Sequence, residues 1–222
     1  MHHLRMLPRC VWLRRAMLLW QAGTLPHDFT AANAAYFDEQ ADHVETEHPH
    51  WPAMAEKVVT KMRTDWPELF DPARTRALDF ACGIGLISQN LHPHVQSVVG
   101  VDISQRSVER YNALARSLEL APEKMRAEHL ELTGAPGELG GALFDLIVAA
   151  PDARRLFPDA LAAVVPQAHG IAEDALRAAF VGAGLGAFEL RDAVSERMPQ
   201  YFGEDGPPIV WFVARGVKPL DG

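Results

Sequence analysis

The chain has 222 residues, 48% of them hydrophobic, with a net charge of −8, which suits one sizeable core in a single globular domain. That acidic balance argues against nucleic acid or an anionic membrane as the main partner, because phosphate binding draws on a basic surface. Cys10 and Cys82 lie in unlike contexts and form no disulfide framework, as in a reducing compartment, and no apolar run approaches the length of a membrane span.

Residues 1–27 stand apart. Arg5, Arg9, Arg14 and Arg15 occur there with no acid before Asp28. This basic tail reads as a mitochondrial presequence short of serine, as a disordered segment, or as the product of a misassigned start codon. Residues 28–222 form the single expected domain. Thr30 is placed to cap a helix over residues 31–43, and residues 49–66 carry a second, in which Met54, Val58, Met62 and Trp66 recur every fourth residue and mark an apolar face. Between them His43, Glu45, Glu47, His48 and His50 cluster. Pro49 interrupts the group and no i, i+4 histidine pair suits zinc, so no metal is expected.

The chain is organised around Leu78 to Gly85. An apolar strand over residues 76–81 runs into Gly83 and Gly85, where the backbone can turn sharply and let a ligand approach. A helix is expected to begin near Leu86, its free N–H groups facing that ligand, and to end at Pro93. A second strand over 98–103 carries Asp102, 17 residues past Gly85, at the spacing of a carboxylate that grips ribose hydroxyls. Strand, glycine turn, helix, strand and acid together make a nucleoside-binding βαβ unit.

Ser104 is placed to cap the next helix, whose buried stripe is Val108, Tyr111, Leu114 or Ala115, and Leu118. A third strand spans 125–132, a Gly- and Pro-containing loop follows over 134–141, and a fourth strand over 143–150 is apolar enough to be central. Only 22 residues separate Ala150 from Glu173, and they include Pro151, Pro158 and Pro166. A parallel crossover takes at least ~10 to 12 residues with its helix, and the strand after it ~5 to 6 more. The alanine-rich stretch 160–165 suggests a short helix instead. The pattern resumes with a helix from Gly170, with Leu176, Ala179, Phe180 and Ala183 inward and Gly184 as its C-terminal cap. Two strands over 186–191 and 210–215 follow, separated by a Gly- and Pro-rich loop.

Dinucleotide-binding and methyl-transferring enzymes share this outline, and Asp79 separates them. A carboxylate inside the first strand suits a cationic ligand with an amino group and not a pyrophosphate, and Ser88 stands where a third glycine would complete G-x-G-x-x-G. Leu78 to Gly85 resembles the first motif of class I S-adenosylmethionine-dependent methyltransferases, Val99 to Asp102 their second, and Phe144 to Val148 their fourth. The resemblance covers roughly residues 29–215 and agrees best over 74–148. It departs at Ala81, where the family usually has glycine, and after strand four, where strand five and its preceding helix are missing.

The resemblance implies an α/β fold: a Rossmann-like, doubly wound, mostly parallel sheet lacking one central strand, with an N-terminal helical lid. The open side of strand four would be left exposed or covered by the late strands moving inward. Tyr36 and Phe37 are lid aromatics by that resemblance, or ordinary packing residues. The implied cofactor is S-adenosyl-L-methionine. Asp79 would hold its amino group directly or through water, Ala81, Cys82, Gly83 and Gly85 would form the turn that admits its methionine end, and Asp102 would hold the ribose. Ile103 and Glu128 would frame the adenine, with Leu130 or His129 as a wall, although Glu128 reads equally as a surface carboxylate. Cys82 is a small residue that fits the turn more than a catalytic thiol. No residue is singled out as catalytic: His48, His50 and His169 are placed near the acceptor by the family pattern alone.

The implied activity is methyl transfer to a small-molecule acceptor. The alternatives are a catalytically impaired relative that binds the cofactor or nothing, and an NAD-dependent oxidoreductase, which Asp79 and Ser88 disfavour. No nucleic acid or membrane partner is expected. The oligomeric state stays open, and the expected compartment is the cytoplasm, with mitochondria as the alternative carried by the tail.

Overall fold

The computed structural model describes residues 29–132, 137–149, 173–182, 186–197 and 208–217. The basic tail, the segment where strand five is in question, the short helix expected over 160–165, His169, and the loop after the first late strand lie outside these residues.

Helix α1 spans Phe29–Gln40 and is followed by the one-turn α2, Val44–Glu47. Thr30 lies inside α1 and not before it, because the helix starts ahead of the expected boundary. Helix α3, Trp51–Asp65, has Pro52 in its first turn, where the missing amide costs no hydrogen bond. Its Met54, Val58 and Met62 are buried, as is Trp66 at its C-terminal end, so the four-residue periodicity is its packing face.

Strands β1 (Arg76–Phe80), β2 (Ser97–Asp102), β3 (Met125–His129) and β4 (Leu146–Ala149) form a parallel sheet in the order β3-β2-β1-β4. The chain therefore steps outward from β1 to β3 and then returns to the other side of β1. Open parallel sheets present their ligand crevice at such a reversal, outside the carboxyl ends of the strands. This is the Rossmann-like sheet that the motifs imply.

The connection after β1 holds α4, Ser88–Leu91, and a 3₁₀ turn at His92–His94, and α5 (Gln105–Ser117) links β2 to β3. Ser104 caps α5 by accepting the Ser107 amide, which answers one of its orphan donors. Val108, Tyr111 and Ala115 are buried, but Leu118 is 41% exposed, because α5 has already ended at Ser117. Strand β3 stops at His129, short of the expected 132, where Leu130 N–H turns to bond the Asp102 carbonyl.

Strand β4 corrects an expectation. Among the described residues it pairs with β1 alone and forms the sheet edge. Leu146 and Val148 are buried, whereas Ile147 is 62% and Leu143 75% exposed. The apolar run that reads as central thus fills one face only, the alternation being masked by a second apolar set pointing away. Nor do the late strands move in beside it: β5 (Gly186–Glu196) and β6 (Ile209–Val217) form an antiparallel pair of their own, longer than expected at both strands. Between β4 and this pair lies α6, Glu173–Gly182.

Among the described residues two apolar clusters stand out. One gathers Met54, Val58 and Met62 of α3 with Ala77, Val98 and Val148 of the sheet and Val194 and Val213 of the late pair. The other gathers Val108, Tyr111 and Ala115 of α5 with Cys82, Met125 and Ala127. Polar contacts fasten the pair to the end of α3: Trp66 Nε1 donates to Glu189 (3.2 Å), Arg191 meets Asp65 (3.3 Å), and Arg215 bonds Glu68 and Glu189. Exposed ion pairs of this kind contribute roughly 0–1 kcal/mol each, so the buried valines are the main attachment.

Candidate functional site

The site is built at the carboxyl ends of β1 and β2. After Phe80 the backbone enters the left-handed region at Ala81 (φ +54°), Gly83 (φ +51°) and Gly85 (φ +93°). Ala81 occupies it at a steric cost that glycine would avoid. Three bonds stitch the turn to its neighbours: Cys82 N–H to the Val101 carbonyl (3.0 Å), Gly85 N–H to the Cys82 carbonyl (3.0 Å), and Gly83 N–H to Asp102 Oδ2 (2.8 Å). The other Asp102 oxygen accepts the Ser104 amide at 2.8 Å. Asp102 is thus held from both sides, 9% exposed, at the rim of the sheet.

The two glycines have different physical roles. A Cβ on Gly83 would meet nothing within 4 Å, so its backbone borders open space. At Gly85 a Cβ would lie 2.9 Å from Tyr111 Cδ2 and 3.2 Å from Leu114, so the absence of a side chain here makes room for α5. Gly100 on β2 is likewise closed, its Cβ direction filled by Cys82 Sγ at 2.7 Å and Tyr111 at 2.9 Å. Tyr111, fully buried, is the post against which turn and strand rest.

Asp79 lies behind the turn, 1% exposed, and accepts a 2.6 Å hydrogen bond from Ser88 Oγ, itself fully buried. Burial pushes its carboxyl up to about 7. The Ser88 hydrogen bond opposes that rise, and the charge of Asp102 adds to it. The structure gives Asp79 an internal partner, which sequence reasoning missed by treating Ser88 only as an absent glycine. Burial also drives the Cys82 thiol and the Tyr111 phenol well above their ordinary ranges, so Cys82 is held as a neutral, buried thiol.

The helix expected near Leu86 begins at Ser88 and lasts one turn, too short to offer the row of N–H groups anticipated there. Ile103 is half-buried, with its carbonyl 3.0 Å from His129 Nε2. Glu128 stands on β3 with its side chain 41% exposed and its carboxylate 3.3 Å from Arg126 of the same strand. Tyr36 and Phe37 are 38% and 48% exposed on α1 and meet edge to face at 5.2 Å. His48 stacks on Trp51 at 4.0 Å, with His50 edge-on to it. Among the described residues no group of three or more His, Cys, Asp or Glu side chains is disposed to hold a metal ion, and no helix is long and apolar enough to cross a membrane.

Comparison with known proteins bears on this geometry. Residues 77–173, which begin in β1 and take in the glycine turn, Asp102 and β4, match the family described as methyltransferase domain. Over this stretch the chain is similar to a methyltransferase domain. An uncharacterised methyltransferase of Schizosaccharomyces pombe is 45% identical over 60 residues, 27% of this chain and 21% of that protein, so the chain spans about a fifth of the length of the curated relative it matches. Among solved structures, the magnesium protoporphyrin IX methyltransferase from Synechocystis PCC 6803 with bound S-adenosylmethionine superposes at TM-score 0.58 and 14% identity, over 86% of this chain and 98% of that one. The DhpI complex with S-adenosylhomocysteine superposes at 0.55 and 12% identity, over 88% and 100%. At such identities the likeness is one of fold, and it agrees with the sheet order and switch point found in this domain.

Proposed function

We propose that this chain is an S-adenosylmethionine-dependent methyltransferase acting on a small-molecule acceptor. The observation that carries this reading is Asp102, fixed at the end of β2 by the amides of Gly83 and Ser104 while Gly83 opens onto empty space. A carboxylate has about four lone-pair sites, so two backbone donors leave room for two ribose hydroxyls. The site therefore fits the nucleoside part of the cofactor on its own geometry.

In this reading Asp102 orients the ribose, and Ile103 and Glu128 flank the adenine. The backbone of Ala81, Cys82 and Gly83 lies along the methionine end, whereas Gly85 acts from behind by seating Tyr111. Asp79 supports the turn through Ser88 and places a titratable carboxyl behind the point where an ammonium group would lie. When bound, the cofactor supplies an electrophilic methyl group on a sulfonium. The protein's contribution is to hold donor and acceptor in line and to exclude water, which makes proximity and orientation the main source of rate. No side chain is assigned the acceptor's proton.

A small acceptor is supported by the net charge of −8, which disfavours polyanions, and by the Synechocystis neighbour, a methyltransferase named for a small molecule, magnesium protoporphyrin IX. The buried free thiol of Cys82 suits a reducing compartment such as the cytoplasm. Calorimetric titration of the purified chain with S-adenosylhomocysteine tests the cofactor assignment. Micromolar binding is expected, weakened at least about 100-fold in Asp102→Ala, with no binding of NAD. A folded chain that binds NAD and not S-adenosylhomocysteine would overturn the assignment. Methyl transfer from labelled cofactor to a panel of small phenols, amines and carboxylates then tests turnover.

A further inference from the structure

Asp38, on α1, reaches the start of α5, where its Oδ1 accepts Ser104 Oγ at 2.7 Å and the Arg106 amide at 2.9 Å. Ser104 Oγ in turn accepts the Ser107 amide at 3.0 Å, and the Ser104 amide donates to Asp102 Oδ1. The first turn of the 13-residue α5 is therefore capped twice, once by its own serine and once by a carboxylate from a helix 66 residues earlier in the chain. A negative group at a helix N-terminus is stabilised by the helix dipole and by the free amides. The same contacts hold the Asp38 carboxyl below the ordinary range, the Arg106 amide first and the Ser104 hydroxyl second.

The contacts form one continuous line: Asp38 to Ser104, Ser104 to Asp102, and Asp102 to the Gly83 amide. Ser104 is fully buried, so it cannot move without disturbing both of its carboxylate partners. A separate set of contacts fastens the segment from α1 to α2 onto α5. Arg106 meets Asp42 through two 3.0 Å bonds, and Arg110 donates to the Ala41 carbonyl (2.8 Å) and to Glu45 (2.6 Å). These pairs could dock the helix without Asp38, which leaves Asp38 for the task at the site.

We propose that Asp38 is a positioning residue for the ribose-binding carboxylate: through Ser104 it sets Asp102 against Gly83, and so makes the N-terminal helix part of the nucleoside site. The proposal rests on the methyltransferase reading for the identity of the ligand, but the network itself is open to test without one.

Two measurements on the full chain decide it. In the ligand-free protein, hydrogen exchange of the Gly83 amide should quicken about tenfold in Asp38→Ala, because loss of Ser104's partner loosens the Asp102 bond. It should stay unchanged in Asp42→Ala, which weakens docking of the same helix. By calorimetry, the Kd for S-adenosylhomocysteine should rise about tenfold in Asp38→Ala and not in Asp42→Ala. Asp38→Asn keeps an acceptor oxygen but not the charge and should rise about threefold. It takes the place of Asp38→Ala if that variant does not fold, and an unchanged Kd there overturns the proposal. Lower thermal stability with unchanged Gly83 exchange and Kd would show a merely structural cap and also overturn it. Faster exchange without weaker binding would remove the ribose role. Failure of the wild-type chain to bind S-adenosylhomocysteine would instead sink the methyltransferase reading, and the ribose role with it, whatever Gly83 does.

Discussion

Asp79→Asn should change how stability depends on pH, in a direction the structure sets. Asp79 is 1% exposed and its carboxyl is pushed from an ordinary 3.8 up to about 7, chiefly by burial. Between those values the native state keeps a proton that the unfolded chain has released, so stability falls as pH rises through the interval and levels off above it. At about 1.4 kcal/mol per pH unit, the gap sets a ceiling of about 4 kcal/mol. Asparagine has nearly the same shape, can accept the Ser88 hydroxyl through its amide oxygen, and does not titrate. The wild type should therefore lose about 2–3 kcal/mol relative to Asp79→Asn between pH 5 and pH 8. Burial holds His92 and His94 below their ordinary range, so these two give a slope of opposite sign, but they are common to both proteins and cancel in the comparison. Urea unfolding followed by circular dichroism at pH 5, 6.5 and 8 measures the difference. Parallel stability profiles for the two proteins would refute the reasoning, and so would a wild type that gains on the variant as pH rises.

Other substitutions test the packing behind the turn. Gly100→Ala would put a methyl group 2.7 Å from Cys82 Sγ and 2.9 Å from Tyr111. It should cost about 1–3 kcal/mol in unfolding free energy, and adding Cys82→Ala should recover part of that loss, measured as a double-mutant cycle. Ala81→Gly releases a left-handed alanine at φ +54°. The relief of about 1–2 kcal/mol is offset by the extra freedom of glycine in the unfolded chain, so a gain of up to about 1 kcal/mol is expected in thermal or urea unfolding. Val213→Ala should cost about 2 kcal/mol, because Val213 is 7% exposed and joins the late strand pair to the α3 core. An unchanged unfolding midpoint would mean that the ion pairs at Trp66 hold the pair instead.

Much of the site is legible in the sequence because its signals are local. The strand, the Gly83 turn, Asp102 and the Ser104 cap lie within a single stretch, and each depends on backbone rules that act over a few residues: glycine at positive φ, an oxygen-bearing side chain before a helix, an acid at a strand end. The helical face of Met54, Val58, Met62 and Trp66 follows in the same way from periodicity.

What only the tertiary structure decides concerns partners and edges. Ser88 reads as a missing glycine until folding brings it to the buried Asp79 carboxyl, and the room that Gly85 leaves for Tyr111 emerges only when α5 packs on the turn. The place of β4 in the sheet could not be read from its apolar run, because composition does not distinguish two buried faces from one buried and one exposed. Asp38 bears no local mark at all: its role exists because α1 crosses the N-terminus of α5, a meeting of distant segments that only the folded chain provides.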